Sequence, residues 1–125
     1  MARAIFEGVA FSVRHIVSVL QEFDLPLDMV TVSGGLARID ILNQIKADVL
    51  GIPIRKLNTF ETTSVGAALI CMIGSKLCTE KEGFSKFCRV ERVFEPDNAS
   101  HNIYEEFFDL YCDVYGALEK AYLKR

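Results

Sequence analysis

Apolar side chains recur at three- and four-residue steps from the start of the chain. Ile5, Val9, Val13, Ile16, Leu20 and Phe23 share one face of a helix predicted over residues 3–23. Gly8 and Ser12 are small and one turn apart, which marks a place for another backbone to pack closely. Asp24-Leu25-Pro26 ends this helix, because proline lacks an N–H and fixes φ. Met29 to Ser33 is β-branched and apolar, so it reads as a strand. A second helix is predicted over 37–50, with Ile41, Ile45 and Val49 in one row, Leu42 and Leu50 beside it, and Gly51 as a left-handed C-cap. Residues 52–57 give a second short strand.

A third helix is predicted over 62–77, capped by Thr62 or Thr63. The run Val65-Gly66-Ala67-Ala68-Leu69-Ile70 has almost no polar side, so this helix is expected to be buried, with its small residues against a sheet. Residues 79–88 read as a polar connection, Val90 to Phe94 as extended, and 101–124 as a last helix with Ser100 as N-cap. Tyr104, Phe107, Phe108, Tyr111, Tyr115, Leu118 and Tyr122 supply its apolar face. The order α-β-α-β-α-extended-α makes this an α/β chain with a parallel βαβ unit flanked by long helices. Two strands alone make a poor sheet: either further strands come from elsewhere, or residues 1–125 are a single incomplete piece of a larger domain.

Composition adds little against this picture. The chain has 125 residues, half of them hydrophobic, enough for one core. A net charge of −3 with no Lys/Arg block gives no reason to expect nucleic acid. Cys71, Cys78, Cys88 and Cys112 form no C-x-x-C pair, which fits thiols in a reducing compartment. The opening residues show no signal peptide, and the apolar run 65–73 is too short for a bilayer, so a cytoplasmic protein without membrane contact is expected.

The chemistry concentrates at Val30-Thr31-Val32-Ser33-Gly34-Gly35. A strand running into a double glycine and then a helix brings bare backbone and unpaired N–H groups to one turn, which suits a phosphate or a nucleotide edge. A tight structural connection fits the same six residues. Any phosphate contact must rest on backbone N–H groups, since no basic patch is available. Gly34-Gly35 is not the G-x-G-x-x-G of a dinucleotide domain.

The order of the surrounding residues resembles the FGGY family of carbohydrate kinases. Arg3-Ala4-x-x-Glu7-Gly8-x-Ala10-Phe11 is similar to the helix that opens the second half of that family's C-terminal domain. Ser33-Gly34-Gly35, Gln44, Ala47-Asp48, Gly51, Pro53, Glu61-x-Thr63, Gly66-Ala67-Ala68 and Val90-x-Arg92-Val93-Phe94-x-Pro96 follow in the family's order. The resemblance covers nearly the whole chain. It implies part of an actin-like, ribonuclease H-like ATPase fold, and a kinase that transfers the γ-phosphoryl of ATP, with Mg, to a sugar or polyol hydroxyl. It further implies that Gly34 and Gly35 lie against the adenosine, with Ile39 and Asp40 beside it. Glycerol kinases carry Asn at the first of those two positions, so Ile39 departs from their pattern.

The resemblance assigns the catalytic Asp, most sugar contacts and the phosphate loops to parts of the family fold that precede this stretch. No catalytic residue or metal ligand is therefore expected here, and the chain alone is expected to be inactive. Apolar surface and a strand edge left uncovered are expected to drive self-association. The alternative is a non-catalytic α/β interaction or nucleotide-sensing module. Glu105, Asp109 and Asp113 read as a solvated acidic face, His15 as a surface histidine, Asp48 as a structural hydrogen-bonding residue, and Glu61-Thr62-Thr63 as a cap.

Overall fold

The computed structural model describes residues 2–23 and 25–122. Helix α1 spans Ala2–Gln21, strand β1 Val30–Val32, and a single 3-10 turn Gly35–Arg38. Helix α2 is Asp40–Leu50, β2 Ile54–Leu57, α3 Thr62–Gly74, α4 Glu80–Phe87, β3 Val90–Phe94 and α5 Asn98–Tyr122. The sheet has the order β1-β2-β3. β1 and β2 are parallel, with Val30 opposite Ile54 and Val32 opposite Lys56, as the βαβ reading requires. β3 closes the other side of β2 antiparallel, with Phe94 opposite Ile54 and Arg92 opposite Lys56.

Helix α2 is the centre of the molecule. Its Ile45 and Val49 meet Ala10 and Phe11 of α1 and Tyr104 of α5. Its Ala47, on another side, packs on Ile54 and Phe94 of the sheet. Asp48 is buried on α2, and its Oδ1 accepts from Gln44 Nε2 at 2.8 Å and from the Asp97 N–H at 2.9 Å. A buried carboxylate needs such donors, and these two fix the start of α5 against α2. Gly51 takes φ 68° at the C-cap of α2, as its position after the apolar row predicts. His101 closes over it, with Nδ1 2.8 Å from the Asp48 carbonyl.

Several expectations are corrected. Gly8 faces open space, and the close approach of α1 to α2 falls at fully buried Ala10 instead. The helix predicted over 37–50 is broken at Ile39, whose extended backbone (φ −91°, ψ 94°) separates the 3-10 turn from α2. Helix α3 is not buried: Leu69 alone among its side chains is buried, Ala67 and Ala68 are exposed, and a Cβ at Gly66 would meet nothing within 4 Å. Its main packing partner is α4, and between them lies a groove of about 460 Å³ lined by Val65, Leu69, Ile70, Ile73, Phe84 and Cys88. Glu61, not a threonine, holds the N-cap position of α3, without a side-chain bond.

The stretch 79–88 is a helix, not a connection. Thr79 and Glu82 form a full capping box, a Thr-x-x-Glu signal present in the sequence. Asp97 rather than Ser100 caps α5, its Oδ2 accepting the Ser100 N–H at 2.9 Å. The aromatic face of α5 also divides: Tyr104, Phe108 and Tyr111 pack on Phe11, while Phe107, Tyr115, Leu118 and Tyr122 are largely exposed. Asp24 of the predicted helix stop and the predicted end of the last helix at 123–124 lie outside the described residues. Arg3–Gln21 is long and apolar enough, by length and composition, to cross a membrane, which the run at 65–73 is not. Here this helix packs on α2, and its Arg14 donates to the Val49 carbonyl at 3.1 Å.

A Cβ at Gly51 would lie 2.6 Å from His101 Cε1, in a backbone region that L side chains avoid. Gly51→Ala is therefore expected to displace His101 and to cost about 1–3 kcal/mol, read as a lower urea midpoint with an unchanged m-value.

Candidate functional site

The double-glycine turn lies at the carboxyl end of β1, the side on which open α/β sheets bind ligands. Gly34 has φ 85° and ψ −174°, a conformation open in practice only to glycine. A Cβ at Gly34 or Gly35 would meet nothing within 4 Å, so both residues present open backbone on the outside of the turn. The turn then winds into the 3-10 segment, where the Ala37 N–H donates to the Gly34 carbonyl at 3.2 Å. Ala37 is buried, and the fully buried Asn43 donates from Nδ2 to the Ala37 carbonyl at 2.8 Å. Ser33 Oγ lies 3.4 Å from Thr62 Oγ1, linking the turn to the first residue of α3.

Ile39 is half-buried at the break before α2, and its carbonyl accepts the Leu42 N–H at 3.0 Å. Asp40 opens α2, where a carboxylate also meets the positive end of the helix dipole. Asp40 Oδ1 accepts from Lys56 Nζ at 3.0 Å and Oδ2 from Arg92 Nη1 at 2.9 Å. Lys56 is only 6% exposed and also meets Glu91 Oε1 at 3.0 Å. Arg38 lies over the Phe60 ring at 4.6 Å, and Lys56 Nζ is 5.7 Å from the same ring. The hydrogen bond from Lys56 holds the Asp40 carboxyl below its ordinary range, and the bonds to Asp40 and Glu91 hold the Lys56 ammonium above its own.

The structure thus gathers Gly34, Gly35, Ile39 and Asp40 on one turn. Arg38 lies within that stretch, and Lys56, Arg92, Phe60 and Asn43 join from outside it. The sequence carried one signal for the buried lysine: adjacent cations Arg55 and Lys56 in a strand must point to opposite faces, so one of them enters the α2 side. The other candidates stand apart. Glu105 pairs with Arg14 at 2.7 Å and with His101 at 3.2 Å, while Asp109 and Asp113 are exposed. His15 contacts the Tyr115 ring edge-on at 5.2 Å between centroids. No cluster of three or more His, Cys, Asp or Glu side chains suited to a metal occurs among the described residues.

Residues 1–75 match the C-terminal domain of the FGGY family of carbohydrate kinases. The chain belongs to this family. A xylulose kinase of Staphylococcus epidermidis is 30% identical over 115 residues, which is 91% of this chain and 23% of that protein. A glycerol kinase of Saccharolobus islandicus is 34% identical over 97 residues, covering 77% of this chain and 19% of that protein. The chain therefore spans less than a quarter of the length of these relatives. Ligand-bound xylulose kinase from Lactobacillus acidophilus superposes with a TM-score of 0.87 over 99% of this chain and 25% of its own, at 24% identity. Plasmodium falciparum glycerol kinase with ADP superposes with a TM-score of 0.73 over 89% of this chain and 23% of its own, at 23% identity. The fold is thus the α/β, actin-like ATPase fold of FGGY sugar kinases, as the sequence reading expected.

The depressed Asp40 carboxyl has a consequence for acid stability. Its contribution is complete above the unfolded value of about 4 and is lost as pH falls through the lower folded value. Asp40→Asn is expected to lower the urea midpoint at pH 7, and the gap from wild type is expected to narrow below about pH 4. A gap independent of pH would contradict the ion-pair assignment.

Proposed function

We propose that residues 1–125 form the later part of a kinase C-terminal domain and supply the adenosine side of its ATP site. The supporting observation is the glycine-only Gly34 conformation, with open backbone on both glycines, at the carboxyl end of β1 in an FGGY chain. A flat base or ribose fits against backbone without side chains at Gly34 and Gly35, and Ile39 and Asp40 end the segment that carries them. The intact enzyme would transfer the γ-phosphoryl of ATP, with Mg, to a sugar or polyol hydroxyl in the cytoplasm.

Lys56 and Arg92 are matched by Asp40 and Glu91, so they offer no free charge for phosphates. Arg38, on the turn itself, is exposed and rests on the Phe60 ring. The triphosphate, the metal and the sugar would be held by the three quarters of the enzyme that this chain does not span. Phosphoryl transfer needs both sides of a cleft to align donor and acceptor. The chain's own part is to bind and orient the nucleoside.

ADP added to the isotope-labelled chain is expected to shift the Gly34 and Gly35 amide signals, weakly and saturably, and Gly34→Ala is expected to abolish the shifts. Equal shifts with ribose 5-phosphate, or none at millimolar ADP, would remove the adenosine reading. Sugar phosphorylation by the chain on its own would overturn the division of labour. The exposed Ile103, Phe107, Leu110 and Val114 of α5, and the outer edge of β1, are also expected to make the isolated chain self-associate at high micromolar concentration. Sedimentation as a strict monomer would count against this.

A further inference from the structure

Asp40, Lys56, Glu91 and Arg92 form one cluster drawn from α2, β2 and β3. Lys56 Nζ is 3.0 Å from both Asp40 Oδ1 and Glu91 Oε1, and Arg92 Nη1 is 2.9 Å from Asp40 Oδ2. The two cations and two carboxylates cancel. The ammonium at the centre is nearly buried, which is tolerable only with such partners. Strand register puts Lys56 beside Val32, two residues before Gly34. Asp40 stands at the other end of the segment that leaves β1, directly after the backbone break at Ile39.

The segment from Ser33 to Asp40 is held at four points. Ser33 touches Thr62, Asn43 holds the Ala37 carbonyl, Arg38 rests on Phe60, and Asp40 is bound by Lys56 and Arg92. The Asp40 anchor differs from the others in tying the turn to two strands at once. Both carboxylate oxygens are engaged in doing so.

We infer that Asp40 is a positioning residue: clamped by Lys56 and Arg92, it fixes the start of α2 on β2 and β3 and thereby sets the open face of the Gly34-Gly35 turn. Lys56 is the buried half of the clamp and acts on the turn without facing a ligand. The nucleotide consequence rests on the proposed adenosine site; the mechanical one does not. Loss of the clamp frees the turn locally, while the α1–α2–α5 core, which shares no side chain with it, keeps its protection.

The test is amide hydrogen exchange on the whole chain, with ADP-induced amide shifts measured beside it. Asp40→Ala and Lys56→Met are each expected to speed exchange at Ala37 and Ile39 by about tenfold or more and to leave Ala10, Val49 and Tyr104 within about twofold of wild type. Asp40→Glu, which keeps the charge, is expected to restore slow exchange. Arg92→Gln removes one exposed arm and leaves the buried ammonium paired, so it keeps the test open if the other variants unfold; it is expected to speed the same amides by a smaller factor. Unchanged turn exchange in all these variants overturns the inference. So does a loss of ADP shifts in Asp40→Ala with wild-type shifts in Lys56→Met, because Asp40 would then act by direct contact. If wild-type chain shows no ADP shift while the exchange pattern appears as expected, the adenosine reading fails and the clamp stands.

Discussion

Helix α2 runs between two apolar clusters that have no residue in common, and the rest of the molecule is arranged to cover it. Ile45 and Val49 face α1 and α5, while Ala47 faces Ile54 and Phe94. A helix covered on two sides, although its Asn43 Oδ1 has no partner among the described residues, gains from bonding the polar groups it carries inward. Asp48 does so by taking the Asp97 N–H, and that bond in turn sets where β3 ends and α5 begins. One buried carboxylate thus joins the two halves of the fold.

The end of α2 that points to the candidate site is governed by charge instead of apolar packing. Lys56 comes up from the central strand into a nearly dry place and is matched by Asp40 and Glu91. Ion pairs of this kind add little net stability, but breaking one side is costly, because the other charge stays behind. Their effect is on geometry. The glycine turn is left with open backbone outward and a braced base inward.

Local signals were legible where a residue acts through its own backbone or its nearest turn. The strand before Gly34, the left-handed cap at Gly51 and the Ile45 and Val49 part of the α2 row follow from chain sterics and helical period, while Ile41 of the same row is exposed. The capping box at Thr79 was equally local and was obscured by the polar composition around it. The cap of α5 misread by three residues for a related reason: Asp97 and Ser100 are both good caps, and only the path out of β3 selects between them.

Helix α3 is the instructive failure. Its apolar surface runs nearly all the way round, so it was expected to be buried, yet burial depends on what else is within reach. The relatives it matches are about four times as long as this chain. The sequence by itself determined the order of the three strands and of α1, α2, α3 and α5, the glycine turn and the family, because these rest on steric rules and residue order along the chain. Tertiary structure alone decided that Asp40 is held by Lys56 and Arg92, since those partners lie 16 and 52 residues away and meet it only across a parallel and an antiparallel strand pairing.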